Sequence, residues 1–136
     1  MSVTTVPTPP NMTELDLSFV AASDMSDSQY HAVYVSAVGT VSLNSASTNW
    51  LCGILQNAPA SGQTAIVRVA GPLSRIVAGA AFSLGAPLMS GDSSGRLITA
   101  TDNYVVQAIA LETATVINQV CVALLVQCPV KGDNTN

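Results

Sequence analysis

Gly39-Thr40-Val41-Ser42-Leu43 and Gly95-Arg96-Leu97-Ile98-Thr99 decide the reading of this chain. Each starts with a glycine able to take the positive φ of a tight turn, then runs into residues that favour a pleated strand. The likeness extends outward. Tyr34 to Val69 is echoed, roughly 55 residues later, by Leu88 to Leu125. Downstream of the first glycine come Asn49-Trp50-Leu51-Cys52-Gly53-Ile54, a small-residue turn, and Gln63 opening Thr64-Ala65-Ile66-Val67-Arg68-Val69. Downstream of the second come Asn103-Tyr104-Val105-Val106, Ala108-Ile109, another turn, and Gln119 opening Val120-Cys121-Val122-Ala123-Leu124-Leu125. The chain is read as all-β: a compact β barrel or sandwich with two pseudo-repeated β units and an extended N-terminal arm.

The rest of the chain fits that frame. Residues 1–20 form an arm, with Pro7, Pro9 and Pro10 among Thr, Ser and Asn. It ends in a strand where Leu15, Leu17 and Phe19 alternate with Glu14, Asp16 and Ser18. Residues 21–130 form the β domain. Gly71-Pro72 breaks one strand from the next, and Gly91-Asp92-Ser93-Ser94-Gly95 is a tight turn. Ala78-Gly79-Ala80-Ala81 fits a turn or a short helix. Residues 131–136 are a flexible polar tail.

At 136 residues the chain is one domain, large enough to own a core. Apolar residues make up 49% and charged residues 9%, with a mean hydropathy of +0.44. Soluble domains carry roughly 25% charged residues. A surface so poor in charge implies that much of it faces another protein, unless the abundant Ser, Thr, Asn and Gln do the solvating. Four basic residues against eight acidic, a net charge of −4, leave no patch able to neutralise many phosphates. Nucleic acid is therefore not an expected partner. Neither is a membrane: Val105 to Val126 is interrupted by Gln107, Glu112, Asn118 and Gln119 and is rich in β-branched residues. Residues 1–7 lack the basic head and apolar run of a signal peptide.

Catalytic constellations are sparse. The single His31 stands in a strand-like stretch between Tyr30 and Tyr34, where packing is the ordinary role. No G-x-S-x-G elbow marks a serine, and the glycines are spaced as turn punctuation rather than as a phosphate loop. Asp92-Ser93-Ser94-Gly95 lacks the later acidic ligands of a calcium loop. Cys52, Cys121 and Cys128 have no C-x-x-C spacing and read as free thiols. No enzyme activity, metal or cofactor is expected.

Several segments, in order, resemble a tailed-phage capsid cement, or head decoration, protein family. They are Ala21-Ala22-Ser23-Asp24-Met25-Ser26-Asp27-Ser28-Gln29-Tyr30-His31-Ala32-Val33; Gly53-Ile54-Leu55-Gln56-Asn57-Ala58-Pro59-Ala60-Ser61-Gly62-Gln63; Ala65-Ile66-Val67-Arg68-Val69-Ala70-Gly71; Val77-Ala78-Gly79-Ala80-Ala81; Gly85-Ala86-Pro87; Ser90-Gly91-Asp92-Ser93-Ser94-Gly95-Arg96; and Tyr104-Val105-Val106-Gln107-Ala108-Ile109-Ala110-Leu111-Glu112. The resemblance covers about residues 20–127. The chain departs from it where the family places an acidic residue after Gly85 and a glycine at Gln107-Ala108. The resemblance implies a homotrimer on the outer surface of a phage head, assembled in the host cytoplasm, that bridges major capsid protein subunits and stabilises the expanded shell.

Two contact surfaces follow as expectations. A capsid-facing one includes Pro9, Pro10, Leu15, Leu17 and Phe19, unless the three strand residues close the chain's own barrel instead. A subunit interface includes outward-facing Ile66, Arg68 and Leu97, with Trp50. The rival reading is a carbohydrate-binding or adhesive module on a virion surface, with Trp50 and Tyr104 at equivalent repeat positions as its only aromatic candidates.

Overall fold

The computed structural model describes residues 15–45, 52–70, 73–91, 94–101 and 105–126. Pro9, Pro10, Trp50, Tyr104 and Cys128 lie outside them. The described residues hold ten strands and no helix: β1 (Leu15–Ala21), β2 (Ala32–Ala37), β3 (Thr40–Leu43), β4 (Cys52–Leu55), β5 (Thr64–Ala70), β6 (Leu73–Val77), β7 (Pro87–Ser90), β8 (Leu97–Thr99), β9 (Ala108–Ala110) and β10 (Val120–Leu125). The first five close into a barrel of order β1-β3-β2-β4-β5; the second five form a sheet of order β6-β10-β9-β7-β8. A parallel bridge between Ala78 and Leu97 joins the two edges of that second sheet.

The second unit repeats the strand pairing of the first. β1 runs parallel to β3 with Ala21 opposite Val41, just as Ala78 stands opposite Leu97. Val35 pairs with Val41 as Ser90 pairs with Leu97. Ala32 pairs with Ile54 as Pro87 pairs with Ile109. Asp16 pairs with Arg68 as Leu73 pairs with Leu124. The hydrogen bonds between strands are duplicated as well. Ala21 N donates to Gln63 O and Ala78 N to Gln119 O, both at 2.9 Å. Leu55 N donates to His31 O and Ala110 N to Ala86 O, also at 2.9 Å. The β1 strand thus belongs to the first barrel as β6 belongs to the second. The sequence boundary between residues 20 and 21 falls within β1, because pairing with β3 and β5 makes that strand part of the wall.

The left-handed positions recur too. Gly39 (φ 72°) and Gly95 (φ 78°) open the same turn in each unit. Gly62 (φ 80°) matches Asn118 (φ 70°), and Gly85 (φ 84°) matches Tyr30 (φ 69°). Tyrosine rarely takes that conformation. Its backbone N–H donates to Leu55 O at 2.7 Å, as that of Gly85 donates to Ala110 O at 2.8 Å, so the turn is fixed by the same bond in both units.

The interiors follow the register. Ala21, Met25, Val33, Val41, Leu55, Ala65 and Val67 fill the first barrel. Their counterparts Ala78, Phe82, Leu88, Leu97, Ala110, Cys121 and Ala123 are buried in the second. Volumes are exchanged between neighbours: Leu55 becomes Ala110, while Val33 becomes Leu88. Close packing requires that kind of compensation.

The two units share a joint. Ala32 and Ile54 of the first are buried in the same cluster as the core of the second, with Tyr30 packed against it. Around this apolar centre, Ala32 N donates to Gly95 O at 2.7 Å. Gln56 Nε2 donates to Ser74 Oγ at 2.9 Å. Ser90 Oγ donates to Asn44 O, and His31 Nδ1 is hydrogen-bonded to Ser94 O. These bonds tie the units together around the apolar centre, while the buried side-chain amide of Gln107, beside the crevice between them, makes no hydrogen bond among the described residues.

Candidate interaction surface

The described residues offer little for chemistry. No three His, Cys, Asp or Glu side chains among them stand close enough to hold a metal ion. His31 is engaged in the joint. Cys121 is a free, buried thiol. Burial pushes its pKa up, and the nearby Glu112 charge adds to that against a hydrogen bond from Gln119, so the thiol stays protonated. A crevice between the units, lined by Gly53, Ile54, Arg68, Gln107 and Leu125 among others, has room for no more than a water.

The outer surface differs between the units at equivalent positions. On the outside of β1 and β5, Arg68 Nε and Nη2 meet Asp16 Oδ1 and Oδ2 at 2.8 and 3.1 Å, a bidentate pair. Arg68 Nη1 also donates to Leu73 O at 3.2 Å. Both side chains are partly exposed, so Asp16→Asn is expected to cost about 1 kcal/mol or less in a urea titration. A loss of several kcal/mol would contradict this description. In the second unit the same cross-strand pair is Leu73 and Leu124, 43% and 37% exposed. Thr64 of the first unit is matched by Val120 of the second, which is 50% exposed. Val116 and Ile117, in the loop before β10, are also exposed.

The residues singled out from sequence are distributed as follows. Leu15 and Leu17 stand half-exposed on β1, on the side of that strand that carries Phe19, which packs against the first core. Ile66 is half-buried opposite Ser18 on the outside of β5, next but one to Arg68. Ile66 and Arg68 thus share one face. Leu97 does not join them. It is completely buried within the second unit, which corrects its expected place on an outward face. The alternation in Leu97-Ile98-Thr99 allows either face; pairing of Leu97 with Ala78 and Ser90 turns it inward.

Sequence reasoning passed over Val38, Leu111, Leu124 and the Val116-Ile117 pair. Val38 is fully exposed at the tip of the β2–β3 hairpin. The available signal was an apolar residue beside the turn glycine Gly39, where polar residues are usual. In Val120 to Leu124 both faces are apolar, so alternation gave no indication of which face is open.

No family model matches the chain, and no curated protein matches its sequence. Among solved structures it is similar to the N base of the head fiber protein gp8.5 of bacteriophage phi29, with a TM-score of 0.65 and 14% identity over 88% of this chain and 99% of that one. At that identity the likeness is one of fold, and it spans both β units.

Proposed function

We propose that the chain is a decoration, or cement, protein of a phage head. It binds the outer surface of the shell as a homotrimer, bridges major capsid protein subunits and stabilises the expanded state. The reading rests on the fold shared, across nearly the whole of both chains, with the base of a phage head fiber. The exposed apolar side chains Leu73, Val120 and Leu124, which flank the exposed Arg75 on one outer face, support it, because such a cluster calls for a covering partner. Binding only the expanded lattice stabilises that lattice by mass action, and no reaction site is needed. Residues 1–12 contribute to the contact with a neighbouring capsid subunit.

The test is sedimentation of the purified chain with expanded heads that lack it, followed by electron microscopy of the pellet. Density at local threefold positions is the expected outcome; absence of co-sedimentation at micromolar protein overturns the proposal. Removing residues 1–12, which spares β1, is expected to weaken attachment at least tenfold while the circular dichroism spectrum keeps its strand signature. Unchanged attachment removes the arm from the binding surface.

A further inference from the structure

Among the described residues, the positions that form the joint between the two β units have counterparts that are exposed in part. The first unit docks through His31, Ala32, Asn44, Ile54 and Gln56, and the second through Ser74, Ser90, Ser94 and Gly95. By register, the corresponding positions on the opposite units are Ala86, Pro87, Ala100, Ile109 and Leu111 on the second, and Leu17, Val35, Val38 and Gly39 on the first. A joint with two-fold symmetry would bring these counterparts into contact as well. Instead Leu17, Val38 and Leu111 are 40%, 102% and 43% exposed. A Cβ placed on Gly39 meets nothing within 4 Å, whereas one on Gly95 runs into the Ala32 carbonyl. The joint is head to tail, the kind that closes into rings or extends into filaments.

These counterparts also change character together. The Gln56–Ser74 contact maps onto Leu111 and Leu17. The His31–Ser94 contact maps onto Ala86 and Val38, and Asn44–Ser90 onto Ala100 and Val35. Each of these polar side chains at the internal joint is thus apolar at its counterpart; Leu17, Val38 and Leu111 are exposed there, whereas Ala100 is buried beside Met89 and Val106 and Val35 packs against the first core. The backbone agrees. Ala32 donates its N–H to Gly95 O, but its counterpart Pro87 has no N–H, and Gly39 O already accepts from Val20 N at 2.8 Å. Seating these counterparts on each other strands no donor.

We propose that copies of this chain dock on one another through a repeat of the internal joint. The Leu17, Val35 and Val38 surface of one copy seats against Ala86 and Leu111 of the next. Three copies of two units then close a ring of six similar barrels. This rests on the trimer of the proposed function and specifies its interface.

The test pairs Leu17→Cys with Leu111→Cys in one chain under mild oxidation, with the native chain as baseline. Non-reducing gels are expected to show species up to three linked copies for the double variant. Neither single variant should cross-link, and an equimolar mixture of the two should give linked pairs only. Dimers from Leu17→Cys alone would indicate a two-fold contact and overturn the inference. Val38→Asp, at a side chain free of the fold, is expected to turn trimers into monomers in light scattering at tens of micromolar, with an unchanged circular dichroism spectrum. A trimer that neither cross-links nor responds to Val38→Asp refutes this interface while leaving the trimer standing. A monomeric native chain refutes both, and head binding in the pelleting assay is judged separately.

Discussion

Gly95→Ala is expected to lower the thermal midpoint by more than about 12 °C, and Gly39→Ala by roughly 4–8 °C, in melts of the dilute chain. The two glycines hold the same turn position with nearly the same φ, 78° and 72°. An alanine at either pays for a left-handed backbone, roughly 1–2 kcal/mol. At roughly 4 °C per kcal/mol for a chain of this size, that accounts for the shift at Gly39. At Gly95 the added methyl also strikes the carbonyl oxygen of Ala32 and comes within 3.0 Å of its nitrogen. Those are backbone atoms at the centre of the joint: the nitrogen donates to Gly95 O and the oxygen accepts from Asn44 N, so they cannot give way without opening it. The excess over Gly39→Ala measures how rigidly the units are held together. Equal shifts would mean that the joint yields, and the tight approach at Ala32 would then carry no energetic weight.

Ile54→Ala is expected to cost about 2–5 kcal/mol, read as a lower midpoint in urea followed by circular dichroism. Ile54 is 1% exposed and buried among residues of the second unit's core. Its removal leaves a cavity lined from both sides, where collapse is hindered. Ile109 holds the matching place on β9 but is only half-buried, so Ile109→Ala is expected to cost less than half as much in the dilute chain. If Ile54→Ala left the midpoint unmoved, the two cores would be independent, and the chain would have to be treated as two domains.

Much of this was legible from the chain. Gly39 and Gly95 announced the repeat because a turn needing positive φ has few solutions, and Gln63 and Gln119 stood out because each opens a strand. In the structure the Gln63 side chain accepts from Ala60 N at 2.9 Å, and that of Gln119 accepts from Thr115 N at 2.9 Å, so each glutamine closes the loop before its strand. The partnership of β1 with β6 was hidden. Asp16-Leu17-Ser18-Phe19 and Leu73-Ser74-Arg75-Ile76 share a register but no residue at any matched position. What pairing preserves is backbone spacing, which sequence similarity does not record. Leu97 was misassigned for a related reason. In a strand with two apolar neighbours, the inward face is chosen by the partner strand rather than by local alternation. Val38 and Leu111 escaped notice because their meaning appears only when they are set beside Ser94 and Gln56.

The ion pair between Asp16 and Arg68 has a bearing on how the chain folds. Every named strand pairing stays within residues 15–70 or within residues 73–125, so the first unit can close during synthesis before the second has emerged. Two look-alike units in one polypeptide carry a hazard: a strand from one can invade the vacant place in the other and trap a misfolded exchange. If β6 took the place of β1, Leu73 would face Arg68 and leave the guanidinium without its carboxylate. If β1 took the place of β6, Asp16 would be set against Leu124. A contact worth about 1 kcal/mol or less to the finished protein would weigh by no more than that against the wrong strand at the moment of insertion.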